Sequence, residues 1–222
     1  MLLTTLVVLL AFRLFYRFWS GRCSSKRSLA GKTVVVTGGS AGIGKESAKD
    51  FLRRRAKVIL ACRNLEKARK VAEELVAETG NPKVAVRRLD TADLASVRAF
   101  AEEFLRTEDP LHVLVNNAGI AGSRTRQETK DGLELTMATN HFGHFLLTNL
   151  LLKRLQQSDC ELGAQTTIHL AVSEELDRVS GKYFEDCKEA TPTRIARDRA
   201  VAKSVWEVSE AMVNLRPSEV NY

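Results

Sequence analysis

The residues of this sequence best suited to chemistry form a glycine-rich turn at positions 37–44, Thr-Gly-Gly-Ser-Ala-Gly-Ile-Gly. The turn follows an apolar, β-branched stretch and opens a stretch with helical periodicity. Glycines in this context let the backbone turn tightly, approach a pyrophosphate and bring helix against sheet. Free N–H groups and the dipole at a helix start favour an anion. The turn therefore predicts a dinucleotide-binding site that includes Gly38, Ser40, Gly42, Ile43 and Gly44.

The end of the second apolar run predicts which dinucleotide binds. A site for NAD has Asp or Glu about 20 residues past the glycines, where it bonds the ribose 2′-hydroxyl. This chain has Ala61-Cys62-Arg63-Asn64 there, without an acid. The guanidinium of Arg63 is a planar, permanent cation suited to a 2′-phosphate. NADP(H) is therefore the predicted cofactor, and the alternative is that Arg63 is a solvated surface residue.

The elements that must position these residues alternate along the chain from residue 32 onward. Strands are predicted at 33–37, 57–61, 84–89 and 112–115. Helices are predicted at 45–54, 65–78 and 93–107, the last with Asp93 as its N-cap. Strands that alternate with helices at this spacing indicate an α/β fold with a Rossmann-like, doubly wound parallel sheet.

Four motifs together resemble those of the short-chain dehydrogenase/reductase family. The glycine turn matches T-G-x-x-x-G-x-G, and residues 116–119 match N-N-A-G. Leu89-Asp90 is similar to the dipeptide that contacts adenine, and residues 139–145 resemble the helix that carries the active-site asparagine. The resemblance implies that the cofactor is bound by Asp90, Asn116, Ala118 and Gly119, and that Asn140 is catalytic.

Within this family the chain is most similar to membrane-anchored, NADP-preferring retinol dehydrogenases, along nearly its whole length. The resemblance implies hydride transfer between NADP(H) and a small lipophilic alcohol or aldehyde, such as retinol or retinal. In the family, a tyrosine acts as the general acid/base. A lysine four residues later lowers the pKa of that tyrosine, because an ordinary phenol is a poor base near neutral pH.

The tyrosine–lysine pair is absent from this sequence. Ser20 follows Tyr16 by four residues, Cys187 follows Tyr183 by four, and Tyr222 is the final residue. The family's strand with the active-site serine is also missing after residue 157. The chain is therefore interpreted as internally truncated, with a junction near Leu162 and Gly163, and as deficient in catalysis. The alternative function is a non-catalytic, membrane-tethered nucleotide-binding protein, or a competitor of a full-length enzyme.

The truncation predicts a sheet that is incomplete in its carboxyl-terminal half. Without a fifth strand, the fourth strand becomes an edge with unpaired backbone groups. Residues 32–162 are then the NADP-binding domain, and residues 163–222 are a helical remnant of the same domain. Self-association of the chain is expected, because the open edge and the apolar face of the asparagine helix lack partners.

The N-terminal segment predicts attachment to a membrane. Residues 1–12 are apolar except for two threonines, and aromatic residues interleave with Arg13 and Arg17 up to residue 19. These features suit a membrane anchor at 1–20, either spanning or interfacial, followed by a basic linker at 21–31. The basic flank places the domain on the cytoplasmic side, and the family resemblance implies the endoplasmic reticulum.

The charge distribution argues against a nucleic-acid partner. The chain carries a net charge of +7, and the six basic residues before position 33, with no acid among them, account for all but one of these charges. The remaining body is nearly neutral, unlike a nucleic-acid-binding face. The four cysteines show neither paired spacing nor an accompanying histidine pattern, so reduced thiols and no metal site are expected.

Overall fold

A computed structural model describes residue 23 and residues 25–108, 110–157, 176, 179, 181–185 and 188–221. The predicted anchor at 1–20 and the predicted junction at Leu162 and Gly163 lie outside these residues. Within the described ranges, no helix is long and apolar enough to cross a membrane.

Four parallel strands form the central sheet, in the order β3-β2-β1-β4. The strands are β1 (Thr33–Thr37), β2 (Lys57–Cys62), β3 (Val84–Arg88) and β4 (Val113–Val115). Every residue of β1 is buried, as expected for a parallel strand covered on both faces. The parallel, Rossmann-like sheet predicted from the sequence is confirmed. Among the described residues, β4 pairs with β1 alone, so its other side is an edge.

Helices cover both faces of this sheet. They are α1 (Gly42–Arg53), α2 (Leu65–Thr79), α3 (Leu94–Thr107), α4 (Leu135–Met137) and α5 (Gly143–Gln156). A π-helical turn (Ala138–Phe142) joins α4 to α5. The cluster under α1 and α2 contains Val34 and Phe51, whereas the cluster under α3 and α5 contains Val35 and Leu147. Alternate residues of β1 thus point into two separate apolar clusters, as the period of a strand requires.

The local sequence explains where two of these helices begin. Asp93 is the predicted N-cap of α3, and its carboxylate accepts hydrogen bonds from the backbone N–H groups of Ala95 (3.0 Å) and Ser96 (3.1 Å). α1 begins at Gly42, three residues earlier than predicted. Its N-cap, Ala41, is still extended (φ −161°), so the helical conformation starts at the next residue. The glycine turn therefore leads directly into the first turn of α1.

The carboxyl-terminal part of the chain forms small elements and one further helix. They are β5 (Phe184–Glu185), β6 (Lys188–Glu189), a 3₁₀ turn (Ile195–Arg197), α6 (Arg199–Met212) and a second 3₁₀ turn (Pro217–Glu219). α6 lies within the helical remnant predicted at 163–222, and it begins at Arg199. It begins there because Asp198 is extended and caps α6, accepting from the N–H groups of Ala200 (2.9 Å) and Val201 (3.2 Å).

The final residues, 213–221, form a strap across α3 and α5. The Val213 side chain is fully buried in the cluster beneath these helices. The Arg98 guanidinium on α3 donates to both carboxylate oxygens of Glu219, at 2.9 and 3.2 Å. Burial raises the pKa of Glu219, but the hydrogen bond from Arg98 and further contacts lower it more, so the net pKa lies below its ordinary 4.5. The strap is therefore held by an apolar anchor and a mostly buried ion pair.

Replacing Glu219 by alanine is expected to lower the free energy of unfolding by about 1–3 kcal/mol, because the mostly buried Arg98 guanidinium loses its partner. Urea denaturation of the full chain measures the effect. Glu207→Ala is the matched control, since Glu207 pairs with Lys203 at the surface and such pairs contribute less than about 1 kcal/mol. Equal effects of the two substitutions would contradict the strap's structural role.

Candidate functional site

An open cleft of about 460 Å³ lies at the carboxyl ends of the parallel strands. Its walls are the glycine turn after β1, the end of β2, the loop after β3 and the turn after β4. Ligands of open α/β sheets bind at this position. The cleft brings together eight of the sequence-predicted site residues, namely Gly38, Ser40, Gly42, Ile43, Arg63, Asp90, Ala118 and Gly119.

Two glycines of the turn are required by close backbone packing. Gly38 has φ +65°, and a Cβ there would lie 2.9 Å from the Cα of Ala118. Gly44 does not line the cleft, and a Cβ on it would overlap the side-chain amide of Asn117 and the carbonyl of Gly38. The turn after β1 and the turn after β4 therefore touch directly, and glycine allows this contact at both places.

The N-terminus of α1 is suited to bind an anion. Its N-cap, Ala41, provides no side-chain hydrogen bond, and the first turn of α1 carries no acid. By contrast, side chains cap α2, α3 and α6, through Asn64, Asp93 and Asp198. The first N–H groups of a helix need partners, and those of α1 lie where Ala41, Gly42 and Ile43 line the cleft. A phosphate would satisfy them and interact favourably with the helix dipole.

The hydroxyl of Thr37, at the end of β1, joins three segments behind the cleft. Thr37 Oγ1 accepts hydrogen bonds from the backbone N–H groups of Asn117 and Ala118, each at 2.9 Å. It also lies 2.9 Å from Nε2 of His144 on α5 and 3.2 Å from the carbonyl oxygen of Val115. This buried hydroxyl thus links β1, the turn after β4 and α5.

Hydrogen-bond counting assigns the tautomer of His144. Both lone pairs of the Thr37 hydroxyl are occupied by backbone N–H groups, so Nε2 of His144 cannot donate to it, and the single hydroxyl proton is directed at the Val115 carbonyl oxygen (3.2 Å) or at Nε2 (2.9 Å). Nδ1 then carries the proton and donates to the carbonyl of Asn140, at 3.3 Å. Burial lowers the pKa of His144 from its ordinary 6.5, so the ring is neutral at pH 7. A neutral His144 therefore connects Thr37 to the π-helical turn.

The end of β2 provides two cations to the cleft. Arg63 and Lys67 are both exposed and both line it, with Asp90 on the opposite loop. Sequence reasoning missed Lys67, although its position one helical turn after Arg63 could have identified it. Cys62 also lines the cleft, and burial raises the pKa of its thiol. The thiol is therefore protonated at neutral pH and supplies no negative charge beside the two cations.

Besides Gly44, two other predicted site residues do not line the cleft. The Asn116 side chain points away and donates to the hydroxyl of Thr148 on α5, at 3.0 Å. The Asn140 amide exchanges two hydrogen bonds with the backbone of Ile120, at 2.9 and 3.0 Å. Asn140 thus fixes the loop whose residues Gly119 and Ile120 line the cleft. Ten further lining residues are absent from the predicted set, among them Lys67, Thr91 and Thr139.

Tyr183, the tyrosine nearest to a lysine in the sequence, stands apart from the cleft. It immediately precedes β5, which pairs antiparallel with β6 in a sheet separate from the central one. Its side chain is exposed and does not line the cleft. The described residues contain no cluster of three or more His, Cys, Asp or Glu side chains that could hold a metal ion.

A comparison with protein families decides the classification. Residues 32–162 match the family described as short chain dehydrogenase. This chain belongs to the short-chain dehydrogenase family. The match extends from the start of β1 to beyond α5, and it therefore contains every wall of the cleft.

Curated relatives of this family member include retinol dehydrogenases. Retinol dehydrogenase 11 of Homo sapiens is 33% identical over 287 residues, which cover 88% of this chain and 90% of the relative. Retinol dehydrogenase 11 of Mus musculus is 51% identical over 139 residues, which cover 63% of this chain and 44% of the relative. The first alignment is longer than the 222 residues of this chain, so part of that relative has no counterpart here.

Solved structures share the fold of this chain. An uncharacterized protein from Mycobacterium paratuberculosis superposes with a TM-score of 0.66 at 26% identity, covering 88% of this chain and 98% of that one. RhlG of Pseudomonas aeruginosa, solved as an active-site complex with NADP, has a TM-score of 0.50 at 30% identity. That match covers 64% of this chain and 52% of RhlG.

Thr37→Val is expected to lower the free energy of unfolding by about 2–4 kcal/mol, because the N–H groups of Asn117 and Ala118 lose their acceptor. Thr37→Ser keeps the hydroxyl and should stay within about 1.5 kcal/mol of the native chain. Chemical denaturation of both variants measures the difference. A valine variant as stable as the serine variant would show that the hydroxyl contributes no net stability.

His144 is expected to make the fold less stable as the pH falls below 6.5. The folded state holds His144 neutral, whereas the unfolded state takes up a proton near the ordinary pKa of 6.5, so protonation favours unfolding. At pH 5.5 the loss reaches at most about 1.4 kcal/mol relative to pH 7.5. Denaturation of the native chain and of His144→Gln at both pH values tests this, and the variant should lack the loss. An identical pH dependence in both proteins would rule out His144 as its source.

Proposed function

We propose that this chain binds NADP(H) in the cleft at the carboxyl ends of the strands but does not itself transfer hydride. The observation that carries the proposal is the uncapped N-terminus of α1, which opens into a cleft with Arg63 and Lys67 at the end of β2. The active-site complex of NADP with RhlG, a protein to which this chain is similar in fold, supports a nicotinamide nucleotide as the ligand.

Different lining residues contact different parts of the proposed cofactor. The N–H groups at residues 41–43 hold the pyrophosphate, with Gly38 allowing its close approach. Arg63 and Lys67 bind the 2′-phosphate of the adenosine ribose, and Asp90 lies beside the adenine. Ala118, Gly119, Ile120 and Thr139 lie at the other end of the cleft and suit the nicotinamide half. A bound nicotinamide nucleotide supplies or accepts hydride, while this chain contributes the positioning of its phosphates and rings.

The deficiency in hydride transfer rests on the missing proton donor. No tyrosine of the sequence is followed by a lysine four residues later, and Tyr183 does not line the cleft. The relative from Homo sapiens has residues without a counterpart in this chain, which is consistent with an internally shortened sequence. Asn140 fixes the loop at Ile120, but a carboxamide does not act as a general acid or base at neutral pH.

A second candidate is an active oxidoreductase for a small lipophilic alcohol or aldehyde. The names of the relatives, retinol dehydrogenases, favour this substrate class.

For both candidate functions, we propose that the apolar residues 1–20 attach the chain to a membrane, with the domain on the cytoplasmic side of the endoplasmic reticulum. Among the described residues, the outer edge of β4 has no partner strand, and self-association of the chain is therefore part of the proposal.

Calorimetric titration of the full chain with NADPH and NADH tests the proposed cofactor. Arg63→Ala/Lys67→Ala is expected to weaken NADPH binding about 10-fold or more and NADH binding by less than about 2-fold, because only NADPH carries the 2′-phosphate. Lys70→Ala/Lys203→Ala removes the same charge away from the cleft and is the control. Equal losses for the two nucleotides, or no loss, would overturn the assignment of these two cations.

Turnover is tested separately with the same preparation. Oxidation of NADPH in the presence of retinal or another lipid aldehyde is expected to remain at the level of a protein-free mixture, although NADPH binds. Turnover that disappears in Tyr183→Phe would contradict the proposal and identify Tyr183 as the proton donor. Turnover that persists in this variant would also contradict it and favour the second candidate function.

A further inference from the structure

Basic side chains collect at the end of the sheet opposite the cleft. The amino ends of β1, β2 and β3 lie side by side there, since Lys57 N–H donates to the Lys32 carbonyl and Val58 N–H donates to the Lys83 carbonyl, each at 2.9 Å. The turn from α1 to β2 and the segment before β1 adjoin these strand ends. We name the group formed by Lys26, Lys32, Arg53, Arg55 and Lys83 the basal surface.

Several hydrogen bonds hold the basal surface together. The Arg54 guanidinium donates to the carbonyls of Ser25 (3.0 Å) and Arg27 (3.1 Å), which fixes the segment before β1 against the end of α1. Arg55 donates to the hydroxyl of Ser28, at 3.2 Å. The Asn81 amide donates to the carbonyls of Leu52 and Ala56, each at 2.9 Å, which draws the loop before β3 to the same place. The cations therefore come from separate segments and lie on one fixed surface.

The acids nearest this surface form ion pairs with other cations, although Glu78 also interacts electrostatically with Arg53. Asp50 pairs with Arg54, Glu78 with Lys49, and Glu108 with Lys57. Within the described part of the chain, none of the five cations of the basal surface forms an ion pair. Four of them, Lys26, Arg53, Arg55 and Lys83, are exposed. Their charges are therefore available to an external anionic partner.

The backbone at Arg55 points to a role beyond folding. Arg55 follows α1 with φ +73°, a left-handed conformation that glycine adopts without strain and other residues adopt at a cost. A helix dipole accounts for a cation at Arg53, in the last turn of α1. It does not account for Lys26, Lys32 or Lys83, which lie outside helices.

The path of the chain indicates which anionic partner fits. The first described residue, Cys23, packs against the apolar cluster beneath α1 and α2, and residues 25–27 lie on the basal surface through Arg54. In the sequence, an apolar stretch with Arg13 and Arg17 precedes this point by only a few residues. A bilayer that receives the apolar stretch therefore lies within reach of the basal surface.

We propose that the basal surface contacts anionic lipid headgroups and orients the domain on the membrane. The cleft lies at the opposite ends of the strands, so this orientation turns it toward the aqueous phase. Each Lys or Arg close to an anionic bilayer strengthens binding about fivefold. The proposal is independent of whether the cleft binds NADP(H) and of whether the chain has turnover.

Partition of the full chain into vesicles of phosphatidylcholine, with and without phosphatidylserine, tests the proposal. The apolar N-terminal stretch contributes to both partition constants, so the readout is their ratio at low salt. Arg53→Gln/Arg55→Gly/Lys83→Gln is expected to lower this ratio on the order of 100-fold. The control Lys70→Gln/Lys188→Gln/Lys203→Gln removes three exposed charges from α2, β6 and α6 and should change the ratio less than about 3-fold.

Arg55→Gly alone separates binding from folding. Glycine adopts φ +73° without strain, so the variant should fold at least as stably as the native chain. Its anionic-to-neutral partition ratio should nevertheless fall about fivefold. An unchanged ratio in the triple variant, an equal loss in the control, or binding of the basal surface to RNA in preference to vesicles would each overturn the proposal.

Discussion

The site depends on the hydrogen bonds of the buried Thr37 hydroxyl. Thr37 ends the central strand, and its hydroxyl accepts hydrogen bonds from the N–H groups of Asn117 and Ala118 and lies 2.9 Å from Nε2 of His144. Each of these groups belongs to a different segment of the chain, and all are at least partly removed from water. Without the hydroxyl, the turn after β4 would lose its attachment to β1, and the glycine turn that packs on Ala118 would lose its support.

A second constraint acts at the other face of the sheet. α5 and α3 present apolar side chains, and the strap at 213–221 covers part of them. Val213 fills the cluster while Arg98 binds Glu219 and the carbonyls of Val213 and Asn214. The strap thus covers this side of the core with residues of the same chain. Among the described residues, no tyrosine lines the cleft that these elements position.

Much of this arrangement follows from the sequence, for physical reasons that act over short distances. The apolar run at 33–37, the glycine turn and the cap at Asp93 are local patterns, and each occurs where it is predicted. The contacts between distant segments are not readable in this way. Nothing in the spacing of Asn116 and Thr148, or of Arg98 and Glu219, indicates that they bond, since these pairs form only when the sheet brings their helices together. The resemblance to the family identified the turn at 116–119, but only the structure separates Asn116, which bonds α5, from Ala118, which lines the cleft.

Hydrogen exchange of the full chain tests the central claim. This claim is that the hydrogen bonds of the Thr37 hydroxyl already hold the turn after β4 in place before any nucleotide binds. In the nucleotide-free chain, the amides of Asn117 and Ala118 should exchange about 100-fold or more slowly relative to those of Ala41, Gly42 and Ile43, which have no side-chain cap. Adding NADPH should then slow exchange at residues 41–43 and leave Asn117 and Ala118 unchanged. Fast exchange at Asn117 and Ala118 without nucleotide, with protection only after NADPH is added, would contradict the account.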